Sequence, residues 1–169
     1  MGPLRIALED YDGRHKAVLE WIRDGIEPVP PLLDEAIALA ADEERLIAAG
    51  ATWVLRAWIE GGAVLDAGAV GRLARVLPRI AADHARQHVC QIVRWIEVPA
   101  RHAAAFLGFL ESCRQSPRPF VRAWAVDGLF RLAVAHPRYA APADAALGRA
   151  REDPAASVRA RVRRIEAGD

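Results

Sequence analysis

At 169 residues the chain can bury the core of one domain, and with 53% hydrophobic and 27% charged residues it is not a disordered polymer. Ala takes 35 positions, Ser three, Thr one and Asn none, so the strongest helix former abounds while strand and turn formers are scarce; an all-β fold is excluded. The net charge of +1 is uneven: residues 1–60 carry 6 basic and 12 acidic side chains (−6), and residues 61–169 carry 17 and 10 (+7), a polarity that can steer an acidic partner to the C-terminal half or simply solvate the surface.

Helical periodicity runs through almost the whole chain, interrupted by Pro and Gly. A first helix is predicted from Asp12 to Asp24, with Ala17, Val18, Trp21 and Ile22 on one side. Gly25 stops it, Pro28, Pro30 and Pro31 form a stiff connector, and Pro31 opens a helix over Leu32 to Ala41. Asp42 to Glu60 follows and ends at Gly61-Gly62. Asp66 caps Ala67 to Leu77, Asp83 caps a helix reaching about Glu97, and Pro99 opens one to about Arg114. Phe120 to Ala135, Pro142 to Arg151 and Pro154 to Ala167 complete about nine helices: an all-α fold of four pairs plus an N-terminal helix.

The last helices repeat. Val121-Arg122-Ala123-Trp124-Ala125 matches Val158-Arg159-Ala160-Arg161-Val162 at an offset of 37, and a step back of 36 brings Arg122 onto Arg86 and Leu132 onto Ile96. A further step of 34 sets Leu55, Trp58 and Ile59 over Val89, Ile92 and Val93. A period in the mid-thirties built of two helices is the signature of stacked helical hairpins, since one hairpin cannot bury both its apolar faces.

The segment Asp153-Pro154-Ala155-Ala156-Ser157-Val158-Arg159-Ala160 joins an Asp-Pro turn to a Val-Arg, Ala-rich helix. Pro119-Phe120-Val121-Arg122-Ala123 is a second copy, Ala85-Arg86 a weaker third, and Thr52 replaces the Arg in a degenerate fourth. These segments resemble HEAT repeats of the armadillo-type group. The resemblance covers about residues 31–169 and implies a right-handed α-α superhelix, with residues 1–30 as an N-terminal capping helix and connector in one domain spanning 1–169. It implies a binding mode rather than an activity.

Val121, Ala125, Leu129 and Leu132 form an apolar stripe with Arg122 beside it. Arg86, Arg122 and Arg159 therefore read as a structural ladder bonded to neighbouring repeats, with an anion site as the alternative. Trp124, Asp127 and Arg131 share the adjacent helix face. One period back stand His88, Gln91 and Trp95; one period forward stand Arg161 and Arg164. By the resemblance these second helices line a concave surface, and the eight residues form a candidate partner groove, rich in the Trp and Arg that anchor interfaces. The alternative is packed Trp95 and Trp124 with an Asp127–Arg131 ion pair along one helix.

Searches for chemistry find little. His84 and His88 have metal-compatible spacing, but no Glu follows His84 and the third candidate, His102, lies on another helix. Nucleophile elbows and phosphate-binding Gly loops are absent from the sequence, and no cofactor is expected. Cys90 and Cys113 fall in apolar helical patterns and read as reduced, packed thiols of a cytoplasmic protein. The N-terminal segment lacks the form of a secretory signal, no apolar run is long enough for a membrane span, and the Arg-for-Lys bias points to a GC-rich bacterial genome. The expectation is a non-catalytic scaffold holding a protein partner. The alternative is a nucleic-acid protein similar to HEAT-like DNA alkylation-repair glycosylases, which use a basic concave face with Trp and one Asp, here Trp124, Asp127 and Arg131.

Overall fold

Ten α-helices and two short 3-10 turns make up all the regular structure among the described residues, 2–169, of the computed structural model. In chain order they are α1 (Pro3–Leu8), α2 (Ala17–Gly25), α3 (Pro30–Leu39), α4 (Arg45–Glu60), α5 (Ala67–Val76), α6 (Asp83–Ile92), α7 (Ala100–Arg114), α8 (Pro119–Ala135), α9 (Ala140–Ala150) and α10 (Ala156–Glu166). The 3-10 turns are Leu77–Arg79 and Pro137–Tyr139.

Local chemistry explains several boundaries. Asp66 Oδ1 accepts the Ala69 N–H at 2.7 Å and starts α5. Gly62, at φ +108°, takes the left-handed turn that ends α4, and the Ala63 N–H reaches back to the Trp58 carbonyl at 2.9 Å. Asp83 departs from its expected role: Ala82 occupies the cap position of α6, and the Asp83 carboxylate pairs with Arg118 of the next connection. The segment after Ile92 turns at once, so α6 stops short of Glu97.

Ten helices replace the expected nine because α1 forms near the N-terminus. Its first N–H groups have no local cap; the Glu35 carboxylate of α3 accepts from Leu4 and Arg5 at 3.2 and 3.0 Å. Arg5 then pairs with Asp42 at 2.5 Å and with Glu44. The N-terminal cap is thus a hairpin of α1 and α2 rather than one helix.

The outer face of this hairpin is apolar. Leu19 and Ile22, three apart, turn inward and are buried, which leaves Trp21 65% exposed. Ile6 is 55% exposed beside it, and Pro3, Val18 and Ile26 complete an open apolar groove of about 750 Å³.

Packing partners are always close in chain order. One row places α2 on α4, α4 on α6, α6 on α8 and α8 on α10; the other places α1 on α3, α3 on α5 and α5 on α7. The Pro137–Tyr139 turn joins α8 to α9, and His136 and Arg138 beside it bond to the carbonyls of Val98 and Ala100 at the start of α7. Among the described residues the longest side-chain hydrogen bond, Arg5 to Glu44, spans 39 positions.

One apolar core runs from Leu4 to Ala146, and a second cluster (Ala123, Val126, Leu147, Ala150, Val158, Val162, Ile165) fills the C-terminal end. The expected stripe of Val121, Ala125, Leu129 and Leu132 is buried within the first. Full burial of a side chain such as Phe106 or Leu129 contributes about 1.5–3 kcal/mol. No helix among the described residues is long and apolar enough to cross a membrane.

Candidate functional site

The eight candidate residues lie along the row α4, α6, α8 and α10, in two layers of different character. His88, Gln91 and Asp127 are buried, and Trp124 is half-buried against the core. Arg131 and Arg161 reach over them, while Trp95, 53% exposed, and Arg164 face solvent. His88, Gln91 and Asp127 therefore correct the expectation that all eight line an open groove. Each points between two helices, because its position borders the apolar stripe rather than standing opposite it.

Hydrogen bonds without a carboxylate close the α4–α6 end. Thr52 Oγ1 donates to the Ala48 carbonyl at 2.8 Å, so with its one hydrogen committed it accepts from His88 Nδ1 at 3.1 Å. Thr52, which the 34-residue step aligns with Arg86, thus faces His88. Burial, with Arg56 nearby, pushes the His88 pKa down to about 3, so the ring is neutral at physiological pH. One turn further, Arg56 donates to Gln91 Oε1 at 3.0 Å. Arg56 also lies against Trp53 and borders an open cavity of about 290 Å³ that Arg14 and Lys16 enter from the N-terminal hairpin.

The α8–α10 end is charged. Asp127 has no exposed surface, and neither carboxylate oxygen has a hydrogen-bond partner. Its nearest cations are Arg131 Nε at 3.8 Å and Arg161 Nη1 at 3.9 Å. Burial raises the Asp127 pKa, and the guanidinium groups of Arg131, Arg94 and Arg161 oppose that rise without cancelling it. Arg161 stacks over the Trp124 ring with its guanidinium carbon 3.7 Å from the centroid, and Arg94 lies 5.7 Å from that of Trp95. Arg131, Arg94 and Arg161 also contact Asp169, beyond the end of α10.

Periodicity had not pointed to Arg56, Arg94 and Asp169. Arg94 follows the helical part of α6, and Asp169 lies outside any helix, so neither has a register. The signal for Arg56 was its 35-residue separation from Gln91.

The three ladder arginines sit apart from this face and bond differently. Arg122 grips Asp153, in the turn before α10, through two bonds of 2.9 Å and adds one to the Ser116 carbonyl. The pairing raises the Arg122 pKa and lowers that of Asp153. Arg86 donates to Ser112 Oγ at 2.8 Å and Cys113 Sγ at 3.4 Å, both on α7. Arg159 bonds to the Asp153 and Pro154 carbonyls, within its own hairpin rather than to a neighbouring one.

Cys90 and Cys113 are free, buried neighbours. Burial raises the Cys90 thiol, whereas the proximity of Cys90, aided by the Arg86 contact, lowers that of Cys113. His88 is committed to Thr52, and His102 stands against Gly71 of α5; among the described residues no group of three or more His, Cys, Asp or Glu side chains could hold a metal. Ser112 and Ser116 serve Arg86, Arg118 and Arg122 as hydrogen-bond partners.

No family model, curated protein or solved structure matches the chain.

Proposed function

We propose that the protein is a non-catalytic interaction module: a short HEAT-like α-solenoid that takes a protein partner along the exposed face of α4, α6, α8 and α10. The observation that carries this is the spacing of the links along that row. Thr52 meets His88 across 36 positions, Arg56 meets Gln91 across 35, Trp124 meets Arg161 across 37 and Arg131 meets Asp169 across 38. Links of one period join α4 to α6 and α8 to α10, Asp83 of α6 meets Arg118 before α8 across 35, and among the described residues no side-chain hydrogen bond spans more than 39 positions, as expected of a quasi-one-dimensional stack.

On this face Arg94, Arg131, Arg161, Arg164 and Trp95 contact the partner, while His88, Gln91, Asp127 and Trp124 support them from below. Arg and Trp are the side chains that most often dominate binding energy. Two packed thiols without a disulfide suit a reducing compartment such as a bacterial cytoplasm.

The test is affinity purification of the tagged chain from its source organism, beside a Trp95→Ala/Arg164→Glu variant. Both substitutions fall on exposed side chains, so the helical circular dichroism should not change. Loss of a partner recovered by the unsubstituted chain is expected; equal recovery by the folded variant would sink the proposal.

A second function, binding nucleic acid in the manner of the HEAT-like glycosylases, is favoured by one observation: Asp127 lies beneath the Arg161–Trp124 stack on this same face. The complete burial of Asp127 and the −6 balance of residues 1–60 weigh against it. Binding to duplex DNA that collapses between low and moderate salt would support it, and no binding at low salt would remove it.

A further inference from the structure

We infer that Arg94, Arg131 and Arg161 form a receptor for the carboxylate of an acidic peptide segment, and that Asp169 occupies it as an internal stand-in. This deepens the proposed function and rests on it, since it names the chemistry of the partner on the same face.

The three guanidinium groups come from three places in the row: Arg94 after α6, Arg131 on α8 and Arg161 on α10. They converge on one residue. Arg161 Nη1 lies 3.3 Å from Asp169 Oδ2, Arg94 Nη2 lies 3.8 Å from Oδ1, and Arg131 Nη2 donates to the Asp169 main-chain carbonyl.

The charge count demands an anion here. All three arginine side chains are largely withdrawn from water, and Asp127 beneath them supplies only one negative charge. Two positive charges would be left over on a desolvated face, and half-buried charges of one sign are costly without a counter-ion. Asp169 offsets part of that excess.

Placement of Asp169 is built into the end of α10. Gly168 adopts φ +87°, a left-handed turn that suits glycine, and the Asp169 N–H returns to the Arg164 carbonyl at 3.0 Å. The helix terminus thereby swings the acid over the three arginines. The hold is nevertheless weak: the Asp169 side chain is half exposed, and its ion pairs are long. Exposed pairs of this kind add little stability, so a competitor carrying its own carboxylates can displace it.

The occupant also defines the ligand. The arginines hold the side-chain carboxylate and the main-chain oxygen of one acidic residue together, which is the chemistry of an acidic polypeptide. Trp95, exposed beside Arg94, offers an apolar surface for the adjoining part of such a segment. A long polyanion such as nucleic acid would extend toward the negatively charged first 60 residues and be repelled.

The experiment measures fluorescence anisotropy of a fluorescein-labelled peptide made of two Glu-Ala-Gly-Asp units, titrated at low salt with the whole chain and its variants. Removing an internal competitor that fills most of the sites should tighten peptide binding by about tenfold in Asp169→Ala, and adding Arg131→Gln should abolish that gain. Equal affinity in the unsubstituted chain and a folded Asp169→Ala variant overturns the inference. If Arg131→Gln then weakens both equally, Asp169 is not the occupant and the partner-face proposal survives. Absence of peptide binding in Asp169→Ala overturns the ligand class; the purification with Trp95→Ala/Arg164→Glu then decides separately whether the face binds a partner. Tighter binding of a single-stranded oligodeoxynucleotide than of the peptide overturns it in favour of nucleic acid.

Discussion

The α4–α6 and α8–α10 contacts hold similar places in the helix row and are built from opposite chemistry. At the first, Thr52 bonds to a buried His88 ring that stays neutral and Arg56 donates to Gln91, with Arg56 Nε left 3.8 Å from Glu60. At the second, Asp127 is buried as a carboxylate without a hydrogen bond, beneath two arginines held at ion-pair rather than hydrogen-bond distance. A neutral hydrogen bond such as Thr52–His88 stabilises and does little else. A buried carboxylate left short of partners is costly, and it is at this end of the row that we propose a ligand binds.

The largest expected effect tests the neutral end. His88 is held well below the ordinary histidine pKa, so the unfolded chain binds its proton first, and stability is lost as pH falls from about 6.5 toward 3. Between pH 6.5 and pH 4.5 the loss should be about 2.3 kcal/mol, read from urea midpoints, and His88→Gln should remove most of that slope. An unchanged slope in His88→Gln would break the contrast at its neutral side.

Next is the clamp that carries α10. Arg122→Ala leaves the partly buried Asp153 without its bidentate partner and should cost about 2 kcal/mol in thermal or urea unfolding. Because the pairing lowers the Asp153 pKa, its contribution is present at neutral pH and fades as pH falls through the carboxylate range. A loss below about 0.5 kcal/mol would mean that α10 is held by the Val158, Val162 and Ile165 cluster alone.

Asp127→Asn should act in the opposite direction. Burial raises the Asp127 pKa, so its ionised form weighs against folding as pH rises above the carboxylate range. The neutral amide should therefore raise the urea midpoint at pH 7. A fall instead would show that the arginines more than offset burial and that the two contacts are energetically alike. The smallest effect belongs to Asp169→Ala, which should change stability by no more than about 0.5 kcal/mol while raising affinity for the acidic peptide. A large destabilisation would make Asp169 a structural clasp instead of a displaceable one.

Helix positions were mostly legible because they rest on local patterns. Asp66, the Gly61-Gly62 stop and the prolines before α3 and α8 act within a few residues. Failures came where the deciding group is distant in the chain. The start of α1 depends on Glu35, some 30 positions away, and the outward turn of Trp21 depends on Leu19 and Ile22 finding α4.

For the candidate site, the mid-thirties period brought Trp124 near Arg161 and His88 near the preceding helix, and spacing alone suffices for that. Depth was not readable: Trp95 and Asp127 looked equally eligible for an open surface, yet one is largely exposed and the other sealed. A helical face is a continuous rim, and whether a residue on that rim looks out or in is set by how closely the next helix approaches. The amino-acid order by itself determined that this chain is helical and where its helices break, because capping, proline geometry and apolar spacing are local forces. Only the tertiary structure decided which rim residues are buried, that three arginines share one acid, and that the N-terminal end shows Trp21 to water, because those outcomes depend on the separation and rotation of helices that meet across dozens of residues.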